Sequence, residues 1–171
     1  MPLSPDIPQY AQDLMDFYSP PRQDARGVGI FYEQIQPGAD LEKMARHHYQ
    51  YFVGEQWDRH SDAWMRPWKL IYQRARDIDP CFVAEITAVA TLAGEKHENL
   101  FSKFLKINTD DYVRAYTVLQ TAFDSPEVED FRVYTIGDGE VVEGLLAISH
   151  RRNGETVIFA FLDKKNSTHG L

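Results

Sequence analysis

The densest group of residues able to do chemistry lies between residues 44 and 64, where the sequence reads MARHHYQYFVGEQWDRHSDAW. Three of the chain's six histidines fall in this stretch, among carboxylates and aromatic rings. Histidine, aspartate and glutamate together are the usual composition of zinc sites and of general acid–base catalysis. On residue type alone, the catalytic candidates here are His48, Glu55, Asp58 and His60.

The spacing of these residues argues against a metal site. Adjacent His47 and His48 project about 100° apart around a helix, so their rings diverge. A helical zinc pair needs ligands four residues apart, and the residues at that spacing are Tyr51 and Phe52. His48 also falls on the apolar stripe of its helix, which favours packing in the core. The sequence therefore predicts no metal and no cofactor.

Glu85 is a fifth catalytic candidate, because it interrupts the apolar run CFVAEITAVATLAG (81–94). A buried carboxylate without a partner has a raised pKa, which is one way to make a general acid. The alternative is an ion pair with an arginine such as Arg74 or Arg76. Nucleophilic catalysis is disfavoured, since Ser149 and His150 are neighbours on a predicted strand and point to opposite faces.

The composition limits the classes of function. A chain of 171 residues suits a single domain with its own core. The net charge of −8 disfavours binding to nucleic acid or to an anionic membrane, and suits a basic protein partner. No apolar run approaches the roughly 20 residues of a membrane span, and no secretory signal is recognisable. With Cys81 as the single cysteine, we expect a cytoplasmic protein without an internal disulfide.

Apolar periodicity predicts a helical body over 38–125, after a proline-rich N-terminal segment (1–26). Helices are predicted at 38–53, 61–78, 81–94 and 109–125, and the segment 95–107 either continues the helix at 81–94 or forms a separate one, which gives four to five helices. Gly54 should end the first of these, leaving a polar loop before the second. Pro67 must then lie in the first turn of the second helix, or the helix would kink there.

The last third of the chain changes to the period of strands and predicts a three-stranded antiparallel meander over 131–163. Asp138-Gly139 and Asn153-Gly154 supply the positive φ angles of two-residue hairpin turns. Both faces of the last strand are apolar over 157–162, so we expect it to be covered on both sides or paired with another copy in a homodimer. A fourth strand at 27–35 and a polar tail at 164–171 complete an α+β fold in one domain.

Aromatic and acidic residues are the candidates for contact with a partner, because tyrosine and tryptophan dominate interface hot spots and carboxylates attract basic surfaces. They are Trp57, Asp58, Asp62, Trp64, Asp124, Glu127, Glu129 and Asp130. The alternative for the tryptophans is that they seal the core. The sequence favours a non-enzymatic acidic module that masks or regulates a protein partner, as an immunity protein or antitoxin does. The alternative is an enzyme or small-ligand-binding protein with a pocket around residues 48–62.

Overall fold

The computed structural model describes residues 6–93 and 110–164, which form five helices and five strands; for 90–93 only the backbone is described. The helices are α1 (Gln9–Phe17), α2 (Leu41–Val53), α3 (Glu55–Met65), α4 (Phe82–Ala93) and α5 (Tyr112–Phe123). The strands are β1 (Gly27–Gln34), β2 (Lys69–Gln73), β3 (Val128–Gly137), β4 (Val142–Arg151) and β5 (Glu155–Lys164). The predicted helix 95–107 and most of the predicted tail, from residue 165, lie outside the described residues.

The five strands form one antiparallel sheet in the order β1-β5-β4-β3-β2. The α+β class is confirmed, as are the meander (β3 to β5) and the added strand at 27–35. The predicted order of helices first and strands afterwards is wrong, because β1 and β2 are interleaved with the helices. β5 lies between β1 and β4, so a second copy of the chain has no free edge of β5 to pair with.

Helices cover both faces of the sheet, and alternate residues of β1, β3, β4 and β5 contribute to two separate cores. α1, α4 and α5 pack on the face that carries Phe131, Val157 and Phe159. α2 and α3 pack on the face that carries Tyr134 and Ile158. All six residues from 157 to 162 are buried, so the prediction that the last strand is covered on both sides is confirmed.

The predicted helix over 61–78 and the loop before it are wrong. α3 begins directly after Gly54, whose φ of +75° lets the chain turn out of α2 within one residue. Pro67 has no N–H to continue the helical ladder, and the Ala63 carbonyl accepts from the Arg66 N–H instead. The chain then enters β2, which pairs with β3.

Trp68, one of the aromatic residues in the predicted helix 61–78, packs between helix α2 and the sheet instead. The Trp68 ring stacks on Tyr134 at 4.4 Å between centroids and on Tyr49 at 5.5 Å. The apolar spacing at Trp68 therefore reflects packing against two aromatic rings and not a position in a helix. No helix in the described ranges is long and apolar enough to cross a bilayer.

Candidate functional site

The predicted residues on α2 and α3 meet around a shallow cavity of about 330 Å³. We name it the Tyr51 surface; it is lined by Gln23, His47, Gln50, Tyr51, Gly54, Glu55 and Asp58. The Tyr51 side chain is 48% exposed, and its ring meets the Phe31 ring edge-on at 5.9 Å. The carboxylates of Glu55 and Asp58 stand one helical turn apart on α3, at the rim of this cavity.

His48 and His60 do not join this cavity. His48 turns toward β1, where its Nε2 lies 2.7 Å from Glu33 Oε1. Burial lowers the pKa of His48 and outweighs the opposing effect of Glu33. His60 is exposed on α3 at a residue with non-helical backbone angles. The structure thus brings together Glu55 and Asp58 from the catalytic candidates of this stretch, without either histidine.

Glu85 is the centre of a buried ion pair with Arg74. Arg74 Nε and Nη2 donate to its two carboxylate oxygens at 2.8 and 2.6 Å, and the Tyr72 hydroxyl donates at 2.6 Å. The Cys81 backbone N–H adds a fourth hydrogen bond at 3.1 Å. The structure shows the arginine partner that the alternative interpretation required, and every one of these contacts stabilises the start of α4.

Asp124 extends this network from the end of α5. Its Oδ1 accepts the Phe82 backbone N–H at 2.6 Å and so satisfies a donor of the first turn of α4. Burial raises the pKa of Asp124, against the effects of the Phe82 N–H and of Arg74. Arg74 Nη1 also donates to the Phe123 carbonyl at 2.9 Å. Asp124 therefore ties α5 to α4 and does not stand free for a partner.

The tryptophans pack as the core-sealing interpretation predicts. Trp64 is 2% exposed, and its carbonyl accepts the buried Tyr49 hydroxyl at 2.6 Å. Trp57 and Trp68 are half-buried against the Tyr49 ring. Trp68 Nε1 also donates to Glu42 at 3.1 Å. Tyr51, which the sequence analysis did not choose, is the more exposed aromatic side chain of this region.

A larger cleft of about 610 Å³ lies at the opposite end of α2, beyond its first residue. We name it the His150 cleft. It is lined by residues 37–39 and 41, by Gln73 at the end of β2 and residues 74–76 after it, by Glu129, Asp130 and Arg132 of β3, and by His150 of β4. Two residues predicted for partner binding, Glu129 and Asp130, therefore line a pocket. Glu127 is exposed, and so is Asp62 on α3.

The floor of the His150 cleft is held in place by charge-assisted hydrogen bonds. Arg132 Nε and Nη2 donate to the two oxygens of Asp130 at 3.0 and 2.9 Å. Gln73 Nε2 donates to Asp130 Oδ1 at 3.2 Å. Asp130 and His150 are direct partners in the β3–β4 ladder, so their side chains leave the same face of the sheet.

Sequence reasoning missed His150, Arg132, Gln73 and Arg76 as site residues. The available signal was the alternation along β4, which places His150 on the same face as Leu146 and Ile148. Among the described residues, no group of three or more histidine, cysteine, aspartate or glutamate side chains is arranged to hold a metal.

Comparison of this chain with protein-family models, with curated proteins and with solved structures finds no match.

Proposed function

We propose that this protein is a non-enzymatic binding module that recognises a basic protein partner through the Tyr51 surface. The observation that carries the proposal is Tyr51 itself, a large aromatic ring that is 48% exposed beside two carboxylates. Tyrosine at the centre of a contact is a frequent hot spot, because it buries a large area and still offers a hydroxyl.

The Tyr51 ring is already positioned for such a contact. Its edge-on packing against Phe31 restricts the side chain before any partner arrives. Binding then orders fewer rotamers, and less of the interaction energy is lost to side-chain entropy. The concave floor around Gln50 and Gly54 leaves room for one side chain of the partner.

Charge gives the direction of the proposed specificity. Glu55, Asp58 and Asp62 are exposed along α3. Arg59 is the one arginine or lysine among the exposed residues of this helix, so its surface is acidic. The chain as a whole carries a net charge of −8, so a basic partner is attracted from beyond contact distance. Such attraction raises the association rate and weakens as salt screens it.

An immunity- or antitoxin-like role is the specific form of this proposal. A protein of that kind masks its partner, so binding should suppress the partner's own activity. We expect this to take place in the cytoplasm, which suits a chain whose single cysteine leaves it without an internal disulfide.

The test compares three forms of the full chain: wild type, Tyr51→Ala and Val141→Ala. Val141 is a matched control, because it is 54% exposed in the turn between β3 and β4. We expect a basic protein of the source organism to be enriched by wild type and by the control, and lost with Tyr51→Ala. With that partner purified, Tyr51→Ala should weaken the dissociation constant by about tenfold or more.

Glu55→Gln with Asp58→Asn should mainly slow association and flatten its dependence on salt. The partner's activity should fall in proportion to complex formation. A purified partner that binds Tyr51→Ala as tightly as wild type would contradict the proposed surface. An enriched protein that fails to form a stoichiometric complex when purified would contradict the binding function.

A further inference from the structure

The His150 side chain is fixed in one tautomer by the chain around it. Its Nδ1 lies 2.8 Å from Thr156 Oγ1, and that hydroxyl donates to the Gly154 carbonyl at 3.0 Å. A hydroxyl has one hydrogen, so both contacts are satisfied together only when Nδ1 carries the proton and donates to Thr156. The neutral ring then presents the lone pair of Nε2 as a hydrogen-bond acceptor.

His150 lines the cleft, and its Nε2 atom has no hydrogen-bond partner among the described residues. The hydrogen bond of His150 within the described residues goes through Nδ1. Among the described residues, the side-chain nitrogen or oxygen that is both fully buried and unpaired is Arg151 Nε. His150 Nε2 is unpaired but does not meet that criterion, so it keeps some accessible surface, and His150 lines the cleft. His150 as a whole is only 5% exposed. An acceptor held this rigidly and left open costs free energy unless something donates to it.

The walls add groups of both kinds around this acceptor. Asp130 and Glu129 supply carboxylates beside His150, and Asp130 is immobilised by Arg132 and Gln73. Arg76 lines the same cleft, is exposed, and has no ion pair among the described residues. The cleft therefore combines acceptors for an N–H or O–H donor with one free guanidinium for an anion.

We propose that the His150 cleft is a binding site for a small carboxylic acid that also carries a hydroxyl or an ammonium group. The donor of the ligand would bind His150 Nε2 and the neighbouring carboxylates, and its carboxylate would bind Arg76. A volume of about 610 Å³ lies within the range of small-molecule pockets. This site is independent of the proposed partner surface, because the two cavities share no lining residue.

The test uses the full chain labelled with ¹⁵N-histidine, so that NMR reports each ring nitrogen of His150. The probes are alanine and lactate, which carry both groups, propionate, which lacks the donor, and alaninamide, which lacks the anion. We expect the free protein to show protonated Nδ1 at His150. Alanine or lactate should change the chemical shift of Nε2 in a saturable way. Propionate and alaninamide should bind more weakly by a factor of about ten or more.

Two variants separate the ligand contacts from folding. Arg76→Gln should weaken binding of the same probe by about tenfold, since a charge-assisted hydrogen bond is lost. Arg66→Gln is the matched control, an exposed arginine near Gly139 at the other end of β3, and should leave binding unchanged. The proposal is overturned if neither alanine nor lactate shifts His150 Nε2. It is also overturned if propionate binds as well as lactate, or if Arg76→Gln has no effect.

Discussion

Replacing Glu85 by alanine should remove much of the free energy of unfolding of this protein, because it leaves the buried Arg74 cation without its carboxylate partner. The Arg74 side chain is 6% exposed and the Glu85 side chain 8%, so water cannot replace the lost carboxylate. Removing one partner of a buried pair costs about 3 to 5 kcal/mol. Asp124 lies 3.9 Å from Arg74 and offsets part of this cost, which places the expected loss near the middle of that range.

The assay is urea denaturation of wild type and Glu85→Ala, with thermal unfolding as a second readout. At this chain length about 4 kcal/mol corresponds to a fall of about 10 °C in the midpoint temperature. The matched control is Asp24→Ala, because the Arg22–Asp24 pair is 40% and 45% exposed. Its loss should cost less than about 1 kcal/mol.

A double variant decides whether the cost comes from the unpaired charge. Arg74→Met with Glu85→Leu removes both charges and keeps apolar volume, so it should cost less than Glu85→Ala alone. The reasoning is refuted if Glu85→Ala costs less than about 1 kcal/mol. It is equally refuted if the double variant is as unstable as the sum of the two single variants, since the charges would then not interact.

Two further predictions concern the packing of the sheet and the titration of His48 and His150. Gly144→Ala would place its Cβ 1.7 Å from the Phe161 carbonyl oxygen on β5, and we expect a loss of about 3 kcal/mol or more in urea denaturation. Gly38→Ala meets nothing within 4 Å and should lose only about 1 kcal/mol through its positive φ; equal losses would contradict the clash. Burial lowers the pKa of His48 and His150. As pH falls below about 6.5, these histidines therefore bind protons more readily in the unfolded chain than in the folded chain. The free energy of unfolding should therefore fall between pH 7 and pH 5, less steeply in His48→Gln, and an unchanged slope in that variant would contradict the assignment.

Local patterns were sufficient for the elements whose partners lie nearby in sequence. The helix predicted at 38–53 begins with Asp40 accepting the Lys43 N–H, as an N-cap does, and ends at Gly54. Gly139 and Gly154 have the predicted positive φ angles, but the connections span 138–141 and 152–154, so the two-residue length predicted for both turns is wrong. The prediction failed over 61–78, because β2 forms only by pairing with β3, about 60 residues further along the chain.

The residues of the His150 cleft could not be predicted from the sequence, because they depend on the register in which β3 pairs with β4. With a two-residue turn at Asp138-Gly139, His150 would lie opposite Glu127. The actual connection is longer, with Gly137 opposite Glu143, and that register continues unchanged along β3 to Asp130, which is therefore the partner of His150. The side chains that meet in the cleft are thus decided by turn length, which the dipeptide did not specify.

The pairing of β1 with β5 has a consequence for how the chain is made. Gly27 lies opposite Leu162, so the first strand of the sheet hydrogen-bonds only with the last. A ribosome that has released β1 must still add more than a hundred residues before its partner exists. We expect the nascent chain to expose the apolar side chains of β1 throughout that interval, and the finished chain to complete its sheet in one late, slow step.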